Sequence, residues 1–476
     1  MKSWCEYRAT WRSRVPATSG KARARAPPPR MPSRPADGTM PCVVIDNGSG
    51  FIKSGFAGEE QPRGVLPARG LAGMGDAQPI TRGIVQDWDA MEAYWDHALT
   101  NQLGIDTEEC NLFVTSPLFD TKVNKERLMQ TLFETFAAPG AYTAAPAVLE
   151  LYAAGRENGV IVGCGAECTY AVLVHEGLPD PRTQQRSNIA GDALSAWTAE
   201  LLGKSAGGAP LPLSAAAKAK EILGAVASDS AGRTTCSAGA FELPDGKKLT
   251  VSAATRVAMA EPLFDPSMLG QAGGGLAQLV AECIRQRDRD GVLESTEHGK
   301  DGTANWYRSI VLGGASTMFA GLAPRLASEL HRSAPDGCVP EVLAVPARAH
   351  GAWLGGSILG SLSVMGTMWI SKADYDENGP LIVHRKVRRA ATSPVLHPAP
   401  PSPRRHPTHP SRVVPYASPH SPSRLLLGVL TRTRAYSHSQ AKLQSRHPTH
   451  PSRMLAHVCL PRIHSLVTRL SPAQCF

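Results

Sequence analysis

The stretch Val43–Gly58, VVIDNGSGFIKSGFAG, decides how the rest of the chain is read. Three β-branched residues run into Asp46, Gly48, Ser49 and Gly50 follow, and a second run carries Lys53. The pattern predicts strand, tight turn, strand. Glycine has no Cβ, so such a turn can bring its backbone N–H groups close to an anion. Gly48, Ser49 and Gly50 are therefore candidate phosphate binders. Lys53 would add positive charge, and Asp46 is a candidate to hold Mg²⁺ through water. The motif alone is unspecific, because an ordinary hairpin satisfies it equally well.

Working outward, the same pattern returns at residues 159–174 as GVIVGCGAECTYAVLV. Three helical patterns lie between the two hairpins. In QDWDAMEAYWDHAL, Trp88, Met91, Trp95 and Ala98/Leu99 share a face, with Asp87 as N-cap. The Trp pair there reads as core. In NKERLMQTLFETF the apolar set is Leu128, Met129, Leu132, Phe133 and Phe136. AVLELYAAG ends at Gly155, a suitable C-terminal cap. Two hairpin units in one chain predict a duplicated α/β architecture with a cleft between the halves, where ligands favour binding.

Charge limits the alternatives. The 476 residues carry a net charge of +9, unevenly placed. Residues 1–39 hold nine Lys/Arg against two acids, and residues 387–476 hold thirteen against none. Residues 40–386 hold 28 basic and 39 acidic groups. An acidic body with basic ends lacks the basic stripe of a nucleic-acid binder. No apolar run reaches membrane-spanning length. The ten cysteines show no framework spacing, and buried free thiols are expected.

Residues 1–39 are Arg- and Pro-rich without apolar periodicity, and read as a disordered basic leader or a start called too early, with Met40 as the true first residue. Residues 387–474 repeat RHPTHPSR at 405–412 and 446–453 and hold fourteen prolines, which reads as disorder.

The longer strings carry a resemblance. IDNGSGFIKSGFAGEEQPRGVLP, GIVQDWDAMEAYWDH, ERLMQTLFETF, AVLELYAAGR, FELPDG, PLFDPSMLG, GGSILGSLS and MWISKADYDENGPLIVHRK resemble the actin family, in family order, over residues 40–386. The resemblance implies a two-domain actin-like α/β fold of the actin–hexokinase type, with a nucleotide cleft between the domains. The first half is expected over about 40–180 plus 351–386, and the second over about 181–350. Actins end in H-R-K-C-F, whereas here His384-Arg385-Lys386 is separated from Cys475-Phe476. The intervening segment begins with Val (codons GT…) and ends with Gln (one codon …AG), so it is expected to be a translated intron.

The resemblance also implies the site. It assigns Asp46, Gly48, Ser49, Gly50 and Lys53 to phosphate and Mg²⁺, Lys220 and Glu221 to the nucleoside, and Gly313, Gly314, Met318 and Phe319 to a further nucleotide turn. Ala349 replaces the family's adenine-side lysine. The second hairpin departs from the family's D-S-G-D-G-x-T-H: both aspartates are lost at Gly163 and Ala166, Glu167 replaces a glycine, and Tyr170 replaces the histidine. Pro146 replaces the glutamine that places the attacking water. A carboxylate at 167 should repel a nucleotide. Binding of ATP or ADP with Mg²⁺ is therefore expected to be weak or absent, with no catalytic residue remaining. Cys164 and Cys168 read as packing residues.

After GVLPARG most of the family's small subdomain is missing, including the loop that one filament subunit inserts into the next. Either the protein has lost it or an exon is missing from the translated gene, and the expectations that follow hold for a real short segment. The receiving groove is expected at Tyr152, Leu359, Leu362 and Met368. The resulting expectation is a divergent actin or actin-related protein. It would be a cytoplasmic, cytoskeletal structural or interaction subunit partnered by actin or actin-associated proteins, without nucleic acid or membrane contact and without homopolymerisation. The alternatives are a nuclear subunit of a chromatin-remodelling complex and an active ATPase of the actin/sugar-kinase fold.

Overall fold

The computed structural model describes residues 40–71, 73–206, 208–228, 236–289 and 302–386. The expectations for 1–39, 387–474 and Cys475-Phe476 lie outside these residues.

The first hairpin is formed by β1 (Cys42–Asn47) and β2 (Phe51–Phe56), followed by β3 (Gly64–Pro67). A short separate hairpin joins β4 (Ile80–Thr81) to β5 (Ile84–Val85). Then come β6 (Asn111–Thr115) and β7 (Gly140–Ala144). The second hairpin pairs β8 (Gly159–Cys164) with β9 (Thr169–His175), and β10 (Leu178–Pro179) and β11 (Gln185–Ser187) both pair with β9. A small ribbon joins β12 (Gly239–Glu242) to β13 (Lys248–Val251), and β14 (Ile310–Gly313), β15 (Val342–Leu343) and β16 (Ile370–Ser371) complete the strands.

Two sheets follow the same plan. The first has the order β16-β7-β6-β1-β2-β3, and the second β10-β9-β8-β14-β15. In each, a hairpin strand pairs antiparallel with its partner and parallel with a later strand: β1 with β2 and β6, β8 with β9 and β14. Val43, Val44 and Ile45 are fully buried because β1 is central and covered on both faces. The expected half-boundary near residue 180 needs correction by sheet membership. β8 and β9 belong to the second sheet, so the division falls between β7 and β8. The C-terminal β16 does return to the first sheet, beside β7.

The helices follow their apolar periods. Asp87 caps the helix Trp88–Asp96 by accepting from the Ala90 N–H at 3.0 Å. Met91, Trp95 and Leu99 are fully buried beneath the first sheet, and Trp88 meets Trp95 edge to face at 6.3 Å. Leu128, Met129, Leu132, Phe133 and Phe136 join the same core. Cys42, Cys110, Cys164, Cys283 and Cys338 are buried thiols.

The helix Pro146–Ala153 joins the two halves. Its Leu149 and Ala153 pack with Val44 and Phe113 of the first sheet, while Val148 and Leu151 pack with Ile161, Val172 and Val311 of the second. It lies so close to the helix Gly351–Gly360 that a Cβ on Gly355 would stand 1.8 Å from the Leu149 carbonyl oxygen. Among the described residues no helix is long and apolar enough to cross a membrane.

Candidate functional site

The first hairpin turn sits where the sequence predicts. Asp46 is buried, accepts from the Lys53 ammonium at 2.8 Å, and accepts from the Thr115 hydroxyl at 3.1 Å. Thr115 also takes the Asn47 N–H at 2.8 Å. Thr115 went unnoticed in the sequence because it arrives from β6. Gly48 has no room for a side chain, since a Cβ there would lie 2.6 Å from the Phe51 carbonyl oxygen. Asp46 and Lys53 thus satisfy each other within the protein.

The second hairpin presses against the first. A Cβ on Gly50 would lie 2.8 Å from Ala166 Cβ, so the two turns lie close together at the position the resemblance assigns to phosphate. Glu167 is not a free repelling charge. Its Oε1 accepts from the Arg69 guanidinium at 2.5 Å and the Gln78 amide at 2.6 Å, and its Oε2 accepts from the Arg82 N–H at 2.5 Å. Arg69 also reaches Asp192 at 2.8 Å, near the start of the helix Gly191–Ala206.

The cleft floor holds a further titratable group. Glu150, in the middle of the helix Pro146–Ala153, is buried and accepts from the Tyr170 hydroxyl at 2.9 Å. Burial, reinforced by the charge of Asp46, pushes its carboxyl up to about 8 against the lowering effects of Tyr170 and Lys53. The only signal in sequence is a glutamate inside an otherwise apolar run. Tyr170 covers Gly163, and burial beside Glu150 raises its phenol well above the usual range. His350 contributes an Nε2 with no hydrogen-bond partner, and burial, with the nearby Lys53 charge, lowers its basicity.

The remaining assigned residues fall on the second half. Lys220 is buried, donates to the Gly191 carbonyl at 2.7 Å and Ser195 Oγ at 2.9 Å, and has its pKa lowered by burial. Its neighbour Glu221 is exposed, so the two do not share a site face. Gly313 ends β14 opposite Gly163, and a Cβ there would stand 2.2 Å from the Glu150 carboxyl carbon. Gly314 turns the chain at φ +82°, a conformation that suits glycine. Met318 is half-buried, and Phe319 is buried beside Gly224, at the end of the helix carrying Lys220. Among the described residues no cluster of three or more His, Cys, Asp or Glu side chains is placed to hold a metal. The four groove residues do converge: Leu359 is buried in one apolar cluster, and Tyr152, Leu362 and Met368 pack against it.

Two sheets built on one plan, each opened by a glycine turn and joined by a shared helix, define the class of two-domain α/β proteins with a nucleotide-type cleft. The actin family's model matches residues 69–210 and 214–388, and the chain belongs to the actin family.

Around the turns to which the family resemblance assigns the phosphates and Mg²⁺ of an adenine nucleotide, three side chains close in. Ala166 lies against Gly50, the Glu167 carboxylate sits beside the turn, and the Glu150 carboxyl stands against Gly313.

Proposed function

We propose that this chain is a divergent actin-family subunit of the cytoskeleton that works by binding other proteins, with a degenerate ATP site that does not turn nucleotide over. The close approach of the two turns, where a Cβ on Gly50 would lie 2.8 Å from Ala166 Cβ, supports this reading most directly. Phosphoryl transfer depends on positioning and on electrostatic stabilisation of developing charge. Here the two turns that would cradle the phosphates meet each other, Pro146 and Tyr170 replace the family's water-placing residues, and Glu150 adds a carboxyl to the floor.

The partner we propose is conventional actin. Tyr152, Leu359, Leu362 and Met368, which lie in or against one apolar cluster, would form the receiving groove, while the stretch between β3 and β4 is too short for the family's insertion loop. Heterologous contacts must repeat to build a filament, so a subunit that receives but offers no loop does not propagate one. Sedimentation of the pure protein in polymerising salt tests this reading. The expected outcome is protein that stays in the supernatant, and pelleted filaments would overturn it.

A further inference from the structure

The two-residue turn between β4 and β5 uses its amides in an unusual way. Ile80 pairs with Val85 and Thr81 with Ile84, leaving Arg82 and Gly83 at the tip. Both have positive φ, +49° and +82°, as a type I′ turn requires. The tip amides of such a turn lie outside the ladder and are free to meet an acceptor. Here the Gly83 N–H donates to Ser49 Oγ at 2.7 Å, in the first hairpin turn. The Arg82 N–H donates to Glu167, in the second. One hairpin tip therefore bridges both turns of the cleft. Arg69 and Gln78, from the same stretch of chain, close on the same carboxylate, whose side chain is only 14 % exposed.

We propose that the Glu167 carboxylate is a built-in substitute for a nucleotide's phosphate, and clamps the two halves of the cleft together without a ligand. A phosphate in such a cleft would be an anion collecting N–H donors and a cation. Glu167, carried on the second hairpin turn, supplies such an anion and takes one turn amide, one guanidinium and one side-chain amide, all from the segment 69–82 across the cleft. Hydrogen bonds to a charged acceptor are stronger than neutral ones, and a largely buried carboxylate keeps that advantage. Arg69 extends the arrangement to Asp192. Arg82 holds a left-handed conformation that a non-glycine residue adopts only where its surroundings fix it. The turn requires it, and the bonds to Glu167 and from Gly83 to Ser49 hold the turn in place.

This inference rests on the reading of the cleft as non-hydrolytic, and adds what takes the nucleotide's structural place. A nucleotide-dependent fold loses its closure when the ligand is stripped, whereas a carboxylate clamp does not. Removing the carboxylate should leave a ring of donors without an anion, and a small polyanion should then refill it.

Thermal unfolding of the full chain tests the clamp. The wild type, Glu167→Gln and Glu167→Gly are stripped with chelator and desalted, and inorganic pyrophosphate is then titrated in. The expected results are a wild-type midpoint that neither stripping nor pyrophosphate moves, and midpoints roughly 5 °C lower in both variants. Pyrophosphate should raise the midpoint of Glu167→Gly, where the donors regain an anion. Should Glu167→Gly not fold, Arg69→Gln and the Glu167→Gln/Arg69→Gln double variant carry the test: acting as one unit, the pair should fall no further than the lower of the two single variants, Glu167→Gln and Arg69→Gln. Variants that melt with the wild type, a double variant whose losses add, or a Glu167→Gly that ignores pyrophosphate would overturn the clamp while leaving the reading of the cleft intact. A wild type whose midpoint drops on stripping would overturn both.

Discussion

The Tyr170 hydroxyl donates to the buried Glu150 carboxyl at 2.9 Å, tying the second hairpin to the helix shared by both halves. Burial raises Glu150 from its ordinary 4.5 to about 8. Between those values the folded chain keeps a proton that the unfolded chain gives up. Stability should therefore fall as pH rises from 4.5 to 8, with a slope of up to about 1.4 kcal/mol per pH unit from this group. Glu150→Gln should flatten that part of the profile. Urea midpoints at pH 5 and pH 8 check it, and an equally steep decline in the variant would count against the assignment.

Arg82 offers a test of the turn rather than the charge. Its N–H, not its side chain, meets Glu167, and its φ of +49° is costly for a residue with a Cβ. Glycine relieves ~1–2 kcal/mol of left-handed strain and loses ~0.5–1 kcal/mol to unfolded-state entropy. Arg82→Gly is expected to leave stability unchanged or raise it by up to ~1.5 kcal/mol. A clear loss in chemical denaturation would mean that the guanidinium matters.

Gly355 sets the distance between the joining helix and its neighbour. A Cβ there would meet backbone, the Leu149 carbonyl oxygen, which cannot swing aside as a side chain would. Gly355→Ala should destabilise by about 3 kcal/mol or more, despite alanine's better helix propensity. Chemical denaturation measures this, and a variant as stable as wild type would show that the helices part easily.

The proposed actin contact has its own readout. If the groove at Tyr152, Leu359, Leu362 and Met368 accepts a loop displayed at a filament's pointed end, added protein should slow growth there and leave barbed-end growth alone. Leu362→Asp should abolish the effect, because a buried unpaired carboxylate opposes docking. Pointed-end growth unchanged at high protein concentration would remove this contact from the account.

Much of this arrangement is legible in the sequence. The β-branched run into Asp46, the glycine turn and the recurrence at Gly159 announced two hairpins, because strand and turn chemistry is local. Trp88, Met91 and Trp95 announced a buried helix face by spacing alone. What was not legible was non-local. Glu167 read as a repelling charge because its partners, Arg69, Gln78 and Arg82, come from a distant part of the chain. Glu150 is one polar residue in an apolar helix, and nothing nearby in sequence marks its encounter with Tyr170. Lys220 and Glu221, adjacent in sequence, were assigned together. A helix turns about 100° per residue, so one is buried and the other exposed.

The most direct measurement is the nucleotide content of the native protein, released by acid and separated by ion-exchange chromatography, with phosphate release followed on the same sample at saturating Mg-ATP. The account expects far less than one adenine nucleotide per chain and no phosphate release above the buffer blank. One tightly held ADP or ATP per chain, or steady hydrolysis at the rate of a polymerising actin, would contradict it.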